Sequence, residues 1–273
     1  MVWEVYALKY AERADRTRAD SFLFDGNHAA PHPIDYYVWV LRKGDRVILV
    51  DTGFDETEAS ARGRPIRANA RNVLAPLGID PDAIADVILT HLHYDHAGGL
   101  TLFPNARLHM QAAEMAYATG PCMCFEALAH PYTSGHVCEA IKRLYSGKVM
   151  FYDGEAAIAE GVTVHRVGGH ARGLQAVRVQ TEAGYLCLAS DASHYYGNVL
   201  RKVPYPIVVD VEAMLKGFDT INSLASSVGL VVPGHDPLVR DVFPSFAADH
   251  IVRLDRGPAI AHHLTDLSDY SDR

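Results

Sequence analysis

The stretch Thr90-His91-Leu92-His93-Tyr94-Asp95-His96-Ala97-Gly98-Gly99 places three histidines and an aspartate within six positions. It follows an apolar run at 87–89, which predicts a buried strand that ends where the histidines begin. Alternate residues of an extended backbone point to the same side, so His91 and His93 can share one metal ion. Asp95 and His96 follow the turn of the chain and can face a second ion. The alternative is a histidine-rich surface loop.

Composition sets the class of protein around this stretch. The chain has 273 residues, of which 49% are hydrophobic and 21% charged, as in ordinary globular proteins. A net charge of −8 argues against a nucleic-acid partner. No apolar run reaches the roughly 18 residues of a membrane span, and the N-terminus lacks the pattern of a secretory signal. The cysteines have no framework spacing, which favours a reducing, cytoplasmic setting; they are Cys122, Cys124, Cys138 and Cys187.

Apolar periodicity predicts strands and helices on both sides of the motif. A hairpin is expected from strands at 36–41 and 46–50. Further strands are expected at 2–8, 86–89, 107–110, 162–167, 175–179, 185–189 and 230–232. Helices are expected at 68–77, 111–118 and 212–226.

Three segments are less regular. Residues 13–33 read as a long loop, in which His28 and His32 are expected to be solvated. Residues 119–147 read as an inserted, partly helical lid, whose Met123 and Phe125 are either pocket or core residues. The polar tail from about 258 to 273, with His262 and His263, is expected to be solvated and partly disordered.

One arrangement recurs at five places: a strand ends, one or two small residues follow, and a histidine or aspartate is presented. The places are Asp51, the stretch from His91 to His96, His170, Asp191 and His235. Metal-bound imidazoles commonly donate their other N–H to a carboxylate, so Asp51 is expected to orient a ligand. The alternative for Asp51 is a plain turn residue.

Counting these ligands predicts two metal ions. The first set is His91, His93 and His170; the second set is Asp95, His96 and His235. Asp191 has two carboxylate oxygens and can bridge both ions. Each ion then keeps an open position, as a catalytic site requires. Two dications bridged by hydroxide would provide a nucleophile near neutral pH.

These residues resemble the metallo-β-lactamase superfamily, whose signature H-x-H-x-D-H is matched by His91, His93, Asp95 and His96. The later ligands match in order. The resemblance implies an α+β fold, the four-layer αββα sandwich, as a single hydrolase domain over residues 1–273. Within the superfamily the chain looks most similar to the N-acyl homoserine lactonases, which implies ring opening of a lactone by a metal-bridging hydroxide.

The chain departs from those lactonases at one position. They typically carry a tyrosine three residues after the bridging aspartate, where this sequence has His194, followed by Tyr195 and Tyr196. Either His194 helps to polarise the carbonyl, or one of the two tyrosines reaches into the pocket, or the substrate differs. A neutral histidine can donate one hydrogen bond, as tyrosine does. Asp95 is expected to pass a proton to the leaving alkoxide.

Several alternatives stay open. A thioesterase of glyoxalase II type shares the ligands, but only Arg253 and Arg256 could serve as its basic clamp. Another cyclic ester or amide, or a phosphotriester, would suit the same metals. Zinc is the first choice, with iron, manganese or cobalt as alternatives. The partner is expected to be a small molecule, with no nucleic acid and no membrane, and the aromatic strand 36–40 could serve a homodimer.

Overall fold

Two β-sheets form the centre of the computed structural model, which describes residues 2–259. The larger sheet has the order β12-β13-β1-β2-β3-β4-β5-β6. Its strands are β1 (Glu4–Arg13), β2 (Ile34–Lys43), β3 (Arg46–Val50), β4 (Asp86–Ile88), β5 (Arg107–Gln111), β6 (Val149–Tyr152), β12 (Ser245–Phe246) and β13 (Ala248–Arg253). The smaller sheet has the order β11-β10-β9-β8-β7. Its strands are β7 (Glu155–Ala159), β8 (Val162–Arg166), β9 (Gln175–Thr181), β10 (Gly184–Ser190) and β11 (Val231–Pro233).

Successive side chains of each strand point to opposite faces of its sheet, and this alternation builds the layers of the fold. Val5 and Ala7 of β1 pack in the cluster between the sheets, together with Val177 and Val179 of β9. The intervening side chains of β1, such as Leu8, belong to a second cluster that the helices cover. Both faces of each sheet are therefore buried, which produces the α+β, four-layer sandwich predicted from the family resemblance.

The helices lie outside the sheets. They are α1 (Glu56–Arg62), α2 (Ala70–Val73), α3 (Tyr94–Ala97), α4 (Ala112–Ala118), α5 (Glu126–Ala129), α6 (Ser134–Tyr145), α7 (Tyr196–Arg201), α8 (Val211–Leu224) and α9 (Leu238–Val242). The helix predicted at 68–77 is broken into α2 and a 3₁₀ turn that ends at Gly78, which has a φ of 65°. No helix within residues 2–259 has both the length and the apolarity that a membrane span requires.

The structure contains a longer first strand and more strands than the sequence pattern predicted. The first strand extends to Arg13, and β7, β12 and β13 were not predicted. Strand β2 lies between β1 and β3, and Tyr36 and Val38 are 2% and 0% exposed. It therefore offers no surface to a second copy of the chain, because its edges are paired and its faces are covered.

The segment at 13–33 is more ordered than a solvated loop. It contains a short 3₁₀ helix, and Phe22 is buried. The prediction that His32 is solvated is wrong: its ring lies 4.3 Å from the ring of Tyr195, and burial lowers its pKa to about 4. His28 is exposed, as expected. Most of the predicted polar tail, with His262 and His263, lies outside the described residues.

The segment at 119–147 has two parts. His130 and Pro131 reach the cavity described below. Helix α6 is instead anchored to the core, because the buried guanidinium of Arg143 donates to three backbone carbonyls, at Leu100, Phe103 and Ala106. The second half of the segment therefore packs as a fixed part of the sandwich.

Candidate metal centre

The candidate ligands meet at one edge of the sandwich, because the strands that carry them end there. Strand β4 ends at Ile88, β10 at Ser190 and β11 at Pro233. Two of the resulting groups contain the seven predicted ligands, with the donor atoms of each group within 4.8 Å of one another. The first group is His91, His93, His170 and Asp191; the second is Asp95, His96 and His235. All seven residues are buried.

Asp191 stands between the two groups. Its Oδ2 lies 3.1 Å from His170 Nε2 and 3.7 Å from His91 Nε2. Its Oδ1 lies 3.0 Å from His235 Nε2 and 3.2 Å from His96 Nε2. One oxygen of the same carboxylate thus faces each group, which is the geometry that a bridging ligand needs.

Protein acceptors orient the imidazoles. The Nδ1 atom of His96 lies 2.7 Å from Asp51 Oδ2, that of His235 2.9 Å from the Asp35 carbonyl, and that of His170 2.6 Å from the Ile207 carbonyl. Each ring therefore directs its Nε2 lone pair into the site. Asp51 is itself fixed by the backbone N–H and the hydroxyl of Thr90, both at 2.8 Å.

The polar atoms left unpaired show that the site fits a metal. His91, His96 and His235 each bury an Nε2 atom without a hydrogen-bond partner, and Asp191 Oδ1 is also unpartnered. Buried polar atoms without partners are rare and costly in folded proteins. In addition, His93 Nδ1 and His170 Nε2 lie only 2.9 Å apart. Divalent cations would satisfy these converging nitrogens and oxygens.

The electrostatics of three candidate ligands agree with this interpretation, whereas at His96 burial is outweighed by Asp191 and Asp51, which raise the pKa of the ring well above its ordinary value. Burial lowers the pKa of His91 and of His93 well below the ordinary value, which keeps both rings neutral. Neutral imidazole is the form that binds a metal. For Asp191, burial is outweighed by the surrounding histidines, which hold the pKa of its carboxyl well below the usual range.

Backbone geometry brings the two sides of the site together. Asp51 and Ser190 have φ values of 60° and 48°, in the left-handed region that residues other than glycine rarely adopt. At Gly234 an added Cβ would lie 2.8 Å from both Asp191 Oδ1 and the Ser190 carbonyl carbon. Only glycine lets the chain that delivers His235 pass so close to Asp191.

Glu114 of α4 ties together two of the loops that carry ligands, and nothing in the sequence singled it out. Its buried carboxylate accepts hydrogen bonds from the backbone N–H of Leu92 at 3.0 Å and of Gly173 at 2.9 Å. The hydroxyl of Tyr132 donates to it at 3.0 Å. The ring of Tyr132 in turn packs edge-on against His93. Glu114 therefore links the positions of His93 and His170.

Glu114→Ala should destabilise the protein and weaken metal binding. Two buried backbone N–H groups would lose their acceptor, which we expect to lower the free energy of unfolding by about 2 to 5 kcal/mol. Metal affinity should fall about 10- to 100-fold, as for other residues that orient ligands. Denaturant unfolding and metal titration measure the two effects. The exposed Glu126→Ala on α5 is the control, and an equal loss in both variants would contradict the role assigned to Glu114.

His194 lies among the ligands. Its Nε2 is 3.0 Å from Asp191 Oδ2, and its Nδ1 is buried without a partner. Its ring stacks on Tyr205 with centroids 3.4 Å apart and an interplanar angle of 5°. Asp191, His194 and His235 form a third group with metal-binding geometry. His194 is thus placed either to bind a metal or to contact a substrate held beside it.

A cavity of about 260 Å³ opens above these groups. Its wall includes Arg13, Arg16, Asp20, Tyr36, Arg62, Arg64, His93, Tyr94, Asp95, His130, His170, Asp191, His194, Tyr205, Ile207 and His235.

The four side chains predicted to line a pocket are not on this wall. Phe125 is 65% exposed, and Met123 is half-buried in the same turn. Tyr195 directs its hydroxyl to Arg16 and to the Pro33 carbonyl. Tyr196 packs between the two sheets. The tyrosines that do reach the cavity are Tyr36, Tyr94 and Tyr205. Nothing in the sequence singles them out, and only the fold shows that their rings lie there.

Comparison with known proteins gives a family match and several relatives. The sequence profile of the metallo-β-lactamase superfamily matches residues 33–239. An N-acyl homoserine lactonase of a Bacillus species is 28% identical over 225 residues, which cover 76% of this chain and 80% of the relative. A probable metallo-hydrolase of Mycobacterium tuberculosis is 28% identical, with 74% and 71% covered.

Two solved structures show the same fold. The structure of a quorum-quenching N-acyl homoserine lactone lactonase matches with a TM-score of 0.70 at 22% sequence identity. The match covers 87% of this chain and 93% of the lactonase chain. A dizinc quorum-quenching lactonase in complex with a product has a TM-score of 0.67 at 18% identity, with 86% and 88% covered.

Proposed function

Because the chain belongs to the metallo-β-lactamase superfamily, we propose that it opens the ring of a lactone, with an N-acyl homoserine lactone as one candidate substrate. The protein is a metal-dependent hydrolase that acts on ester bonds, as its relatives indicate. The observation that carries the finer proposal is Asp191, whose two oxygens face two separate groups of ligands. This arrangement supports a dinuclear rather than a mononuclear centre.

His91, His93 and His170 would hold one ion, and Asp95, His96 and His235 the other, with Asp191 between them. Divalent ions bound there would lower the pKa of a water molecule and polarise a carbonyl oxygen. The imidazole and carboxylate set suits zinc first, with iron, manganese or cobalt as alternatives. We also propose that residues 1–273 form one hydrolase domain, because both sheets share a single apolar layer.

The chain's own residues orient the lactone and move a proton. Asp95 Oδ2 lies on the cavity wall, 3.8 Å from His235 Nε2, and its side chain is 12% exposed. It can hold a proton and deliver it to the alkoxide that leaves when the ring opens. His194 reaches the same cavity and can donate one hydrogen bond to the substrate carbonyl.

The structure does not favour the thioesterase alternative. Arg253 is engaged by two carboxylates, with Asp255 and Glu4 each at 3.0 Å. Arg256 lies on the surface near Glu182. Neither arginine lines the cavity above the candidate ligands, so the two residues predicted as the basic clamp for glutathione do not reach the site.

The purified protein should contain two metal ions per chain and should open lactones. A panel of lactones, thioesters and phosphotriesters, followed by metal analysis and activity assays, tests both statements. Removal of the metals with a chelator should abolish turnover, and two equivalents of zinc, or of manganese, cobalt or iron, should restore it. Cleavage of a thioester without any lactone opening would instead support the thioesterase alternative.

A further inference from the structure

We propose that the substrate carries an anionic group, a carboxylate, which Arg64 binds beside the metal centre. The inference rests on the proposed lactonase function and specifies its class of substrate. Four arginines lie on the cavity wall, but their environments differ. Arg13 and Arg62 each have a carboxylate partner, in Asp15 and Glu58.

Arg16 and Arg64 lack such a partner. Within residues 2–259, neither has a carboxylate oxygen within 4.0 Å. The Nη1 atom of Arg64 donates to the hydroxyl of Tyr36 at 2.8 Å and to that of Tyr94. Neutral phenols orient a guanidinium but do not neutralise it.

Arg16 is held in the same manner on the other side of the cavity. It donates to the hydroxyls of Tyr195 at 2.7 Å and Tyr205 at 2.8 Å, and to the carbonyl of Asp20 at 2.6 Å. The carboxylate of Asp20 is bound instead by the backbone N–H of Thr17. Arg16 is 6% exposed, and these contacts use three of its five N–H donors, so its main effect is to add positive potential to the cavity wall.

Arg64 has the better position for direct contact. Gly63, with a φ of 61°, caps the C-terminal end of helix α1, and the backbone N–H of Arg64 then donates to the Ala59 carbonyl at 2.8 Å. This helix end fixes the backbone from which the side chain reaches the cavity. The Nη2 and Nε atoms have no hydrogen-bond partner within the described residues, and they are not sealed from solvent. They can form the paired hydrogen bonds that carboxylates accept from arginine.

Only a tyrosine side chain separates Arg64 from the candidate metal ligands. Tyr36, which Arg64 contacts, packs edge-on against His235 with ring centroids 5.3 Å apart. Tyr94, its other partner, lies between His93 and Asp95 in the sequence. A substrate whose scissile carbonyl meets the ligands can therefore place a short acidic substituent at Arg64. A half-buried cation with no carboxylate in direct contact favours such an anion over a neutral acyl chain.

Kinetics with a matched pair of lactones test the proposal. The probes are γ-butyrolactone-γ-carboxylate and its primary amide, which have nearly the same size. The metal-loaded protein should open the carboxylate at least about tenfold more efficiently, mainly through a lower KM. Arg64→Gln should remove this preference, with a fall of about tenfold for the carboxylate and less than about threefold for the amide. Arg64→Lys should keep part of it.

Arg67→Gln is the matched control. It removes the same charge three residues away, where Arg67 forms an exposed ion pair with Asp249. It should alter neither substrate by more than about twofold, as expected of surface charges. Equal turnover of the two lactones by the native protein, or an equal loss for both in Arg64→Gln, would overturn the proposal.

A separate measurement keeps the two proposals apart. If neither lactone is opened, the lactonase function fails, and calorimetric titration of the metal-loaded protein with the same two compounds decides the anion site. Tighter binding of the carboxylate than of the amide, lost in Arg64→Gln, would support the site on its own. Equal affinities would refute it.

Discussion

Asp191→Asn should abolish turnover and the binding of two metal ions together. The substitution keeps the shape of the side chain but removes its charge and replaces one oxygen with an NH2 group. Asp191 Oδ1 lies 3.0 Å from His235 Nε2, and Oδ2 lies 3.1 Å from His170 Nε2. An amide cannot present an oxygen to both groups, so at least one ion should be lost.

The expected loss of activity is large. Metal ions contribute several kcal/mol of transition-state stabilisation. A loss of about 4 kcal/mol lowers kcat/KM by about 10³-fold. Metal content per folded chain and lactone turnover, measured on the same preparation, test the prediction. Full activity in Asp191→Asn, with two ions bound, would contradict the dinuclear mechanism.

Asp236→Asn provides a control with the same chemical change. Asp236 is also buried and follows the ligand His235 directly, but its oxygens accept from the backbone N–H groups of Tyr196 and Leu238. Burial raises its pKa to about 7, so the protein already tolerates a neutral side chain at this position near neutral pH. Asp236→Asn should lose some stability because one N–H loses its acceptor, yet it should still bind two ions per folded chain.

The cluster of candidate ligands could be predicted from the sequence because its members follow recognisable strands. The apolar runs before His91 and His235 mark buried strands, and a parallel or mixed sheet collects the ends of its strands at one edge. The spacing within the motif then predicts which residues share an ion, since His91 and His93 lie two residues apart and point to the same side. Asp51, which lies within hydrogen-bond distance of His96 Nδ1, also directly follows a strand, β3.

The wall of the cavity could not be predicted in this way. Arg16, Arg64 and Tyr205 come from irregular segments, where periodicity carries no information on which side chains converge. Met123 and Phe125 were singled out for their apolarity alone. They lie in a surface turn that does not line the cavity, and Phe125 is 65% exposed there. Glu114 is equally hidden, since a charged residue in an amphipathic helix is typical of a solvent-exposed face.

His194 lies beside the candidate metal ligands, where its ring can act on a bound substrate. The resemblance to the lactonases predicts that His194 contacts substrate, and the structure places its Nε2 3.0 Å from Asp191 Oδ2. Burial lowers the pKa of His194 well below its ordinary value, so the ring is neutral and carries one N–H donor. Tyr205 stacks on the ring and holds its plane.

His194→Phe should therefore reduce kcat by about 10²- to 10³-fold, the effect of removing one oxyanion donor. Phenylalanine keeps the stacking on Tyr205, so KM and the content of two ions per chain should change little. His194→Tyr supplies a hydroxyl donor at the same position and should recover most of the activity. Metal analysis separates the two roles of this residue: loss of one ion in His194→Phe would make His194 a ligand, and unchanged turnover would exclude both.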